Sequence, residues 1–225
     1  MSSDALMALG VAAVLVALLA IRAHYLEDRQ RWQIYAFKPL ATLLILALAL
    51  SLSPTHPEYR WAIAAGLLFS TAGDVFLMLP RDRFVAGLAS FLAAHLCYVH
   101  AFSIGVSFGA DFLLWLPYFM AGGIVVALVW PGLKPALRGP VAVYVVVIAV
   151  MAGQAAERWH ALGSGVALAA AVGAGLFVVS DVVLAIDRFR RPFRAARAVT
   201  LATYWAAQLL IALSVGAGLP TVPLP

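Results

Sequence analysis

The sequence predicts an all-α integral membrane protein of eight transmembrane helices, and three observations carry that prediction. Hydrophobic residues make up 64% of the 225-residue chain and charged residues only 11%, where a soluble globular domain runs near a quarter charged. Apolar runs of spanning length alternate with short stretches rich in Pro, Gly and charge. The basic residues then collect on alternate loops, as the positive-inside rule requires.

Taken in order, the first span covers about 4–23. Its text, "MSSDALMALGVAAVLVALLAI", carries Asp4 where a signal peptide has a basic region, and its arginine follows the apolar run, so a span is expected rather than a cleaved leader. Helix 2 is expected over about 36–52, with Pro39 in the favoured first turn and Lys38 at headgroup level. Helix 3 covers about 58–79 and helix 4 about 84–104, with His95 deep inside "FLAAHLCY". Helix 5, about 112–130, has Pro117 in its opening turns, and helix 6, about 139–156, buries Tyr144 early. Helices 7 and 8 follow at about 162–186 and 197–216, before an irregular tail, "GLPTVPLP". No span is expected to hold a proline near its middle, which favours continuous helices over the broken helices of many transporters.

Numbering the loops puts thirteen Lys and Arg on one side, from Arg22 and Lys38 through Arg81, Arg83, Lys134 and Arg138 to the run ending at Arg197. Only Arg60 and Arg158 fall on the other. Both termini are therefore expected to be non-cytoplasmic. The formal charge of +5 is accounted for by a rim against anionic headgroups, with no nucleic-acid partner. The single cysteine, Cys97, excludes an internal disulfide and a cysteine-based metal cluster. Of five histidines, His24, His56 and His160 are assigned to loops and His100 to a far helix end. Only His95 is deep, so a zinc site is not expected.

Two acids interrupt this apolar pattern. Asp74 lies in "FSTAGDVFLMLPRDRF" and Asp181 in "VSDVVLAIDRF", near the ends of helices 3 and 7. Both helices are odd-numbered and run in one direction, which brings both acids toward the basic rim. The similar flanking text suggests a weak parallel repeat of two four-helix halves, about 1–106 and 107–225 of a single domain spanning 1–225. Six residues separate Asp74 from Pro80, about 9 Å of helix, too far for Asp to reach water. An ionised Asp at such depth costs roughly 2.5–3.5 kcal/mol. Asp82, Asp187, Glu27 and Asp28 sit instead in charged loops. The plain alternative gives each buried acid a structural partner: Arg81 or Arg83 for Asp74, Arg188 for Asp181. Thr200, Tyr204 and Gln208 fall on one stripe of helix 8, and Gly66, Ser70 and Asp74 on one stripe of helix 3, whose small residues permit close approach.

The segments "FKPLATLLIL", "AGLLFSTAGDVFLMLP", "RFVAGLASFLAAHLCYVHAF", "LFVVSDVVLAIDRF" and "TYWAAQLLIALS" resemble the YhhN-like lysoplasmalogenases, eight-span hydrolases that cleave the vinyl ether bond of lysoplasmalogens. The resemblance implies that Asp74 and Asp181 are the catalytic acids. It matches Lys38, His95 and Gln208 to further family positions, and Tyr204-Trp205 stands where the family often has two tyrosines. Tyr144 and Ser180 are counted with Lys38, His95, Tyr204 and Gln208 as substrate-binding or orienting groups. The implied chemistry is protonation of the vinyl β-carbon, an oxocarbenium ion, and addition of water, which divides acid and base work between two carboxyls as in glycosidases. Lys38 with rim arginines is expected to hold the substrate phosphate. Neither a metal nor an organic cofactor is expected, and the expected partners are a lysophospholipid and membrane lipids, with no obligate protein partner. The expected location is a bacterial inner membrane, with the site toward the cytoplasmic leaflet. The main rivals are a small-molecule or proton-coupled transporter and a non-catalytic lipid-binding protein.

Overall fold

The computed structural model describes residues 2–26, 32–54, 56–80 and 82–216. Glu27, Asp28, Arg29, Arg31, Arg81 and the tail lie outside the described residues. Among the described residues eight helices are long and apolar enough to cross a membrane. They are α1 (Ser3–Ala23), α2 (Trp32–Ser51), α3 (Pro57–Met78), α4 (Phe84–Ser103), α5 (Phe112–Val129), α6 (Pro135–Leu162), α7 (Gly165–Phe189) and α8 (Ala196–Leu213). One 3₁₀ turn, Trp130–Gly132, follows α5.

Local chemistry sets several of these ends. Ser2, Asp111 and Ser164 accept a hydrogen bond from an N–H of the first turn of α1, α5 and α7, respectively, which satisfies donors a helix leaves open. Pro57 begins α3, where its missing N–H costs nothing. Gly163 ends α6 in the left-handed region, at φ 59°, with its N–H bonded to the Trp159 carbonyl.

Two helices depart from the expected boundaries. α2 starts at Trp32, so Pro39 lies well inside it rather than in its first turn. The cause is the aromatic stretch Trp32–Phe37, which remains helical and carries the span out to a depth that suits amphipathic rings. Pro39 removes the helical N–H that would bond the Tyr35 carbonyl. Pro117 and Pro140 lie in the opening turns of α5 and α6, as expected for Pro117, so among the described residues Pro39 alone approaches the middle of a span. α6 runs on to Leu162 through Glu157, Arg158 and His160, which places His160 in a helix rather than a loop.

That extension is possible because its polar groups find partners. Glu157 accepts from the Ala110 N–H at 2.6 Å and the Trp115 Nε1–H at 2.9 Å. Gln154 donates to the Ser107 carbonyl at 3.1 Å, and Arg158 donates to the Ile104 carbonyl and lies over the Tyr59 ring. Together they tie the α4–α5 loop to α6. Glu157→Ala is expected to leave two donors unpaired in a buried place and to cost about 1–3 kcal/mol for each. Thermal unfolding in detergent checks this.

Six helices form a closed ring in which α2, α3, α4, α6, α7 and α8 each pack on the next, and α8 returns to α2. α1 lies outside against α2 and α8, and α5 lies outside against α6 and α7. Close approach of α3 and α4 depends on the small-residue stripe: a Cβ on Gly66 would run into the Tyr98 ring, and one on Gly73 would come within 2.6 Å of Phe91. At the rim Arg188 pairs with Asp82 at 2.9 Å and lies over Phe84. The Phe84 N–H, and then Arg188, hold the Asp82 carboxyl below its usual range. What that exposed link contributes is present at neutral pH and is lost as pH falls through the lowered value.

Candidate active site

Asp74 sits on α3 one turn from its end and is buried, 1% exposed. Its two oxygens are used differently. Lys38 Nζ lies 3.1 Å from Oδ1, while Oδ2 accepts from Thr42 Oγ1 at 2.9 Å and from the Tyr204 hydroxyl at 2.7 Å. Trp205 Nε1–H in turn donates to Thr42 Oγ1 at 3.2 Å. An ammonium and two hydroxyls on one carboxylate make a strongly satisfied anion. Lys38 is thus not a headgroup-level rim charge. It is buried and turned inward, because α2 begins a turn earlier than expected and carries residue 38 into the bundle.

Asp181, on α7, is less enclosed. Its Oδ2 accepts from the Tyr144 hydroxyl at 2.5 Å, and no cation pairs with it among the described residues. Arg188 goes to Asp82 rather than to Asp181, and Asp74 pairs with Lys38; Arg81, also suggested for Asp74, lies outside the described residues.

Both aspartates line one chamber of about 450 Å³, together with Lys38, Ser180, Tyr204, Thr200, His24 and Arg197. His24 caps the end of α1 with its Nδ1 2.8 Å from the Ala20 carbonyl oxygen. Burial, with Arg197 and Lys38 nearby, pushes its imidazole below the usual range. Ser180 donates to the Thr200 carbonyl at 3.0 Å and so ties α7 to α8.

The other expected residues stand behind the chamber wall. The His95 ring, fully buried, lies edge-on to Tyr144 and Phe177, with centroids 5.1 Å and 4.7 Å away. Among the described residues neither of its nitrogens has a hydrogen-bond partner. Phe177 and Phe91 pack edge-on against Tyr204 at 5.5 Å and 5.8 Å. An aromatic column therefore links the tyrosine on Asp74 to the tyrosine on Asp181. Gln208 accepts from the Tyr98 hydroxyl at 2.7 Å, which fixes α8 to α4 below the chamber.

Sequence reasoning missed Thr42 and His24 as site residues and named Arg197 only as one of the rim arginines expected near the substrate phosphate. Thr42 carried a signal, since it lies one helical turn from Lys38 and so on the same face. His24 carried none, lying in a segment that looked like ordinary rim.

Comparison with known proteins adds to this geometry. The sequence model of the YhhN family matches residues 33–215. The Escherichia coli O157:H7 protein named "Uncharacterized membrane protein YhhN" is 33% identical over 201 residues, 89% of this chain and 95% of that protein. "Lysoplasmalogenase TMEM86A" of Bos taurus is 37% identical over 179 residues, 76% of this chain and 72% of that protein. "Lysoplasmalogenase TMEM86B" of Homo sapiens is 36% identical over 188 residues, 84% and 77% of the two chains. No solved structure matches.

Proposed function

The chain belongs to the YhhN family, and from that premise we propose that it is a lysoplasmalogenase-type hydrolase. It cleaves the vinyl ether bond of a 1-alkenyl-glycerophosphoethanolamine or -glycerophosphocholine to a fatty aldehyde and the glycerophospho-alcohol. The observation that supports this best is the unequal dressing of two acids on one chamber: three donors on Asp74, one on Asp181.

That inequality assigns the roles. Asp74, held by Lys38, is the ionised base. Asp181 has no cation, and an unpaired charge in such a place is costly, so it carries the proton. Tyr144 occupies Oδ2, and Oδ1 carries the hydrogen that goes to the vinyl β-carbon. The π pair of the double bond forms the new C–H bond, and positive charge appears on the carbon bearing oxygen. The Asp74 carboxylate stabilises that charge and takes a proton from the attacking water. The hemiacetal then loses its C–O bond to glycerol: Asp74 returns its proton to the departing oxygen, and the hemiacetal hydroxyl reprotonates Asp181. Both carboxyls end as they began.

Tyr204 and Thr42 orient Asp74, while Tyr144, stiffened by His95, orients Asp181. Ser180 and Gln208 hold α7 and α8 in register for the two acids. With Lys38 engaged by Asp74, the substrate phosphate falls to Arg197 and His24 at the chamber mouth as much as to Lys38. The active site faces the cytoplasmic leaflet of a bacterial inner membrane, which the one-sided basic rim supports.

Purified protein incubated in detergent with alkenyl and acyl lysolipids in parallel is expected to release aldehyde from the alkenyl lipid alone, as read by mass spectrometry. A folded protein that releases none, or one that instead carries a solute down its gradient in liposomes, overturns the reading.

A further inference from the structure

A second, apolar groove opens on the other side of α7, with room of about 80 Å³. Leu88 on α4, Gly122 and Val125 on α5, Val145 and Ile148 on α6 and Ala185 on α7 are among its walls. Leu77, Phe91, Asp181 and Leu184 line both the groove and the polar chamber. The two spaces therefore meet along these residues, with Asp181 the acid on their shared wall.

We propose that this groove is the binding subsite for the hydrocarbon chain of the lipid, entered sideways from the bilayer between α4 and α5. The proposal rests on the hydrolase reading above, and the argument is one of connectivity. The carbon that Asp181 protonates is the first atom of the alkyl chain proper, so the chain must leave from the Asp181 carboxyl. On the chamber side it would meet Lys38, Asp74, His24 and Arg197, whose desolvation an alkyl chain cannot offset. On the groove side it meets aliphatic and aromatic side chains, where each buried methylene adds to binding.

The flank is open in the right place. α4 and α5 both line the groove yet scarcely touch each other, since α5 packs on α6 and α7. α5 also presents Leu116, Met120 and Ile124 outward, at 42%, 59% and 58% exposure, as a lipid-facing helix does. The groove is open toward that flank, so the chain runs along it from the Asp181 end toward the bilayer, and a longer chain buries more of its methylenes there. The substrate is thus bent at the reacting bond, with its headgroup arm in the chamber and its hydrocarbon arm in the groove.

Two groove-filling variants, Ala185→Phe and Gly122→Leu, test this against Val179→Phe, which lies on an exposed part of α7. Gly122 faces Val145 closely, a Cβ there coming 2.8 Å from its Cγ1, so Ala185→Phe keeps the test valid if the glycine variant fails to fold. The first readout is kcat/KM on alkenyl lysolipids with a short and a long chain. Ala185→Phe is expected to lower it at least tenfold for the long chain and less than threefold for the short one, with Val179→Phe unchanged for both. The second readout is binding of a saturated 1-alkyl ether lysolipid, which has no double bond to cleave. Ala185→Phe is expected to weaken it for the long chain only. If the wild type releases no aldehyde yet binds the long-chain ether, and Ala185→Phe weakens that binding, the reaction is wrong and the groove stands. Unchanged long-chain kinetics and binding in a folded Ala185→Phe protein overturn the groove.

Discussion

Asp181→Asn is expected to reduce aldehyde release about a thousandfold, within the range that removal of a general acid produces. The amide still accepts the Tyr144 hydroxyl that now sits 2.5 Å from Oδ2, so the local structure persists, but the position facing the substrate no longer holds an acidic proton. Binding of the non-cleavable ether lysolipid is expected to change less than threefold. Loss of kcat with binding kept separates a proton donor from a packing residue. Thermal unfolding is expected to be unchanged or slightly raised, since the acid is matched by no cation. Near-normal turnover in this variant removes the acid role.

Lys38→Met is expected to produce the largest loss of stability from a single change in the site. The Asp74 carboxylate, 1% exposed, loses the ammonium 3.1 Å from its Oδ1 and is left with two hydroxyl donors. Removing one partner of a buried ion pair costs about 3–5 kcal/mol, because the other charge stays behind unpaired. The double variant Lys38→Met with Asp74→Asn is expected to recover most of that stability, since no charge remains, and to stay inactive. Unfolding and aldehyde release are measured on both single variants and the double. If the double variant is no more stable than Lys38→Met alone, the pair is not what holds α2 to α3, and the account of Asp74 as a fixed anion fails with it.

Much of the scaffold was legible in the sequence. A segment in hydrocarbon must satisfy its own backbone, so a long apolar run between charged stretches has one outcome, a helix, and all eight appeared where such runs lie. Ends were less legible. The expected boundaries fell at about 36 and 156, yet α2 begins at Trp32 and α6 runs through Glu157, because an aromatic surface at Trp32 and tertiary partners for Glu157 remove the reason to stop. The same error hid Lys38: with α2 begun four residues late, the lysine fell at headgroup level instead of inside.

The two acids were conspicuous because an unpaired charge in an apolar run is expensive wherever the helix goes. Their surroundings were not. Thr42, Tyr204 and Lys38 reach Asp74 from α2 and α8, and Trp205 of α8 braces Thr42; the two helices are far apart in the chain. Tyr144 reaches Asp181 from α6. Nothing in the local text of α3 or α7 encodes those rotations.

By itself, then, the sequence determined the number and character of the helices and the presence of two costly carboxyls, since hydropathy and the cost of burying charge act within each segment. Only the tertiary structure decided that α2 and α8 close a ring beside α3, that one carboxyl receives a cation and the other a single phenol, and that the second borders an apolar groove. Those outcomes depend on how helices are rotated against one another, which follows from close packing of many side chains at once.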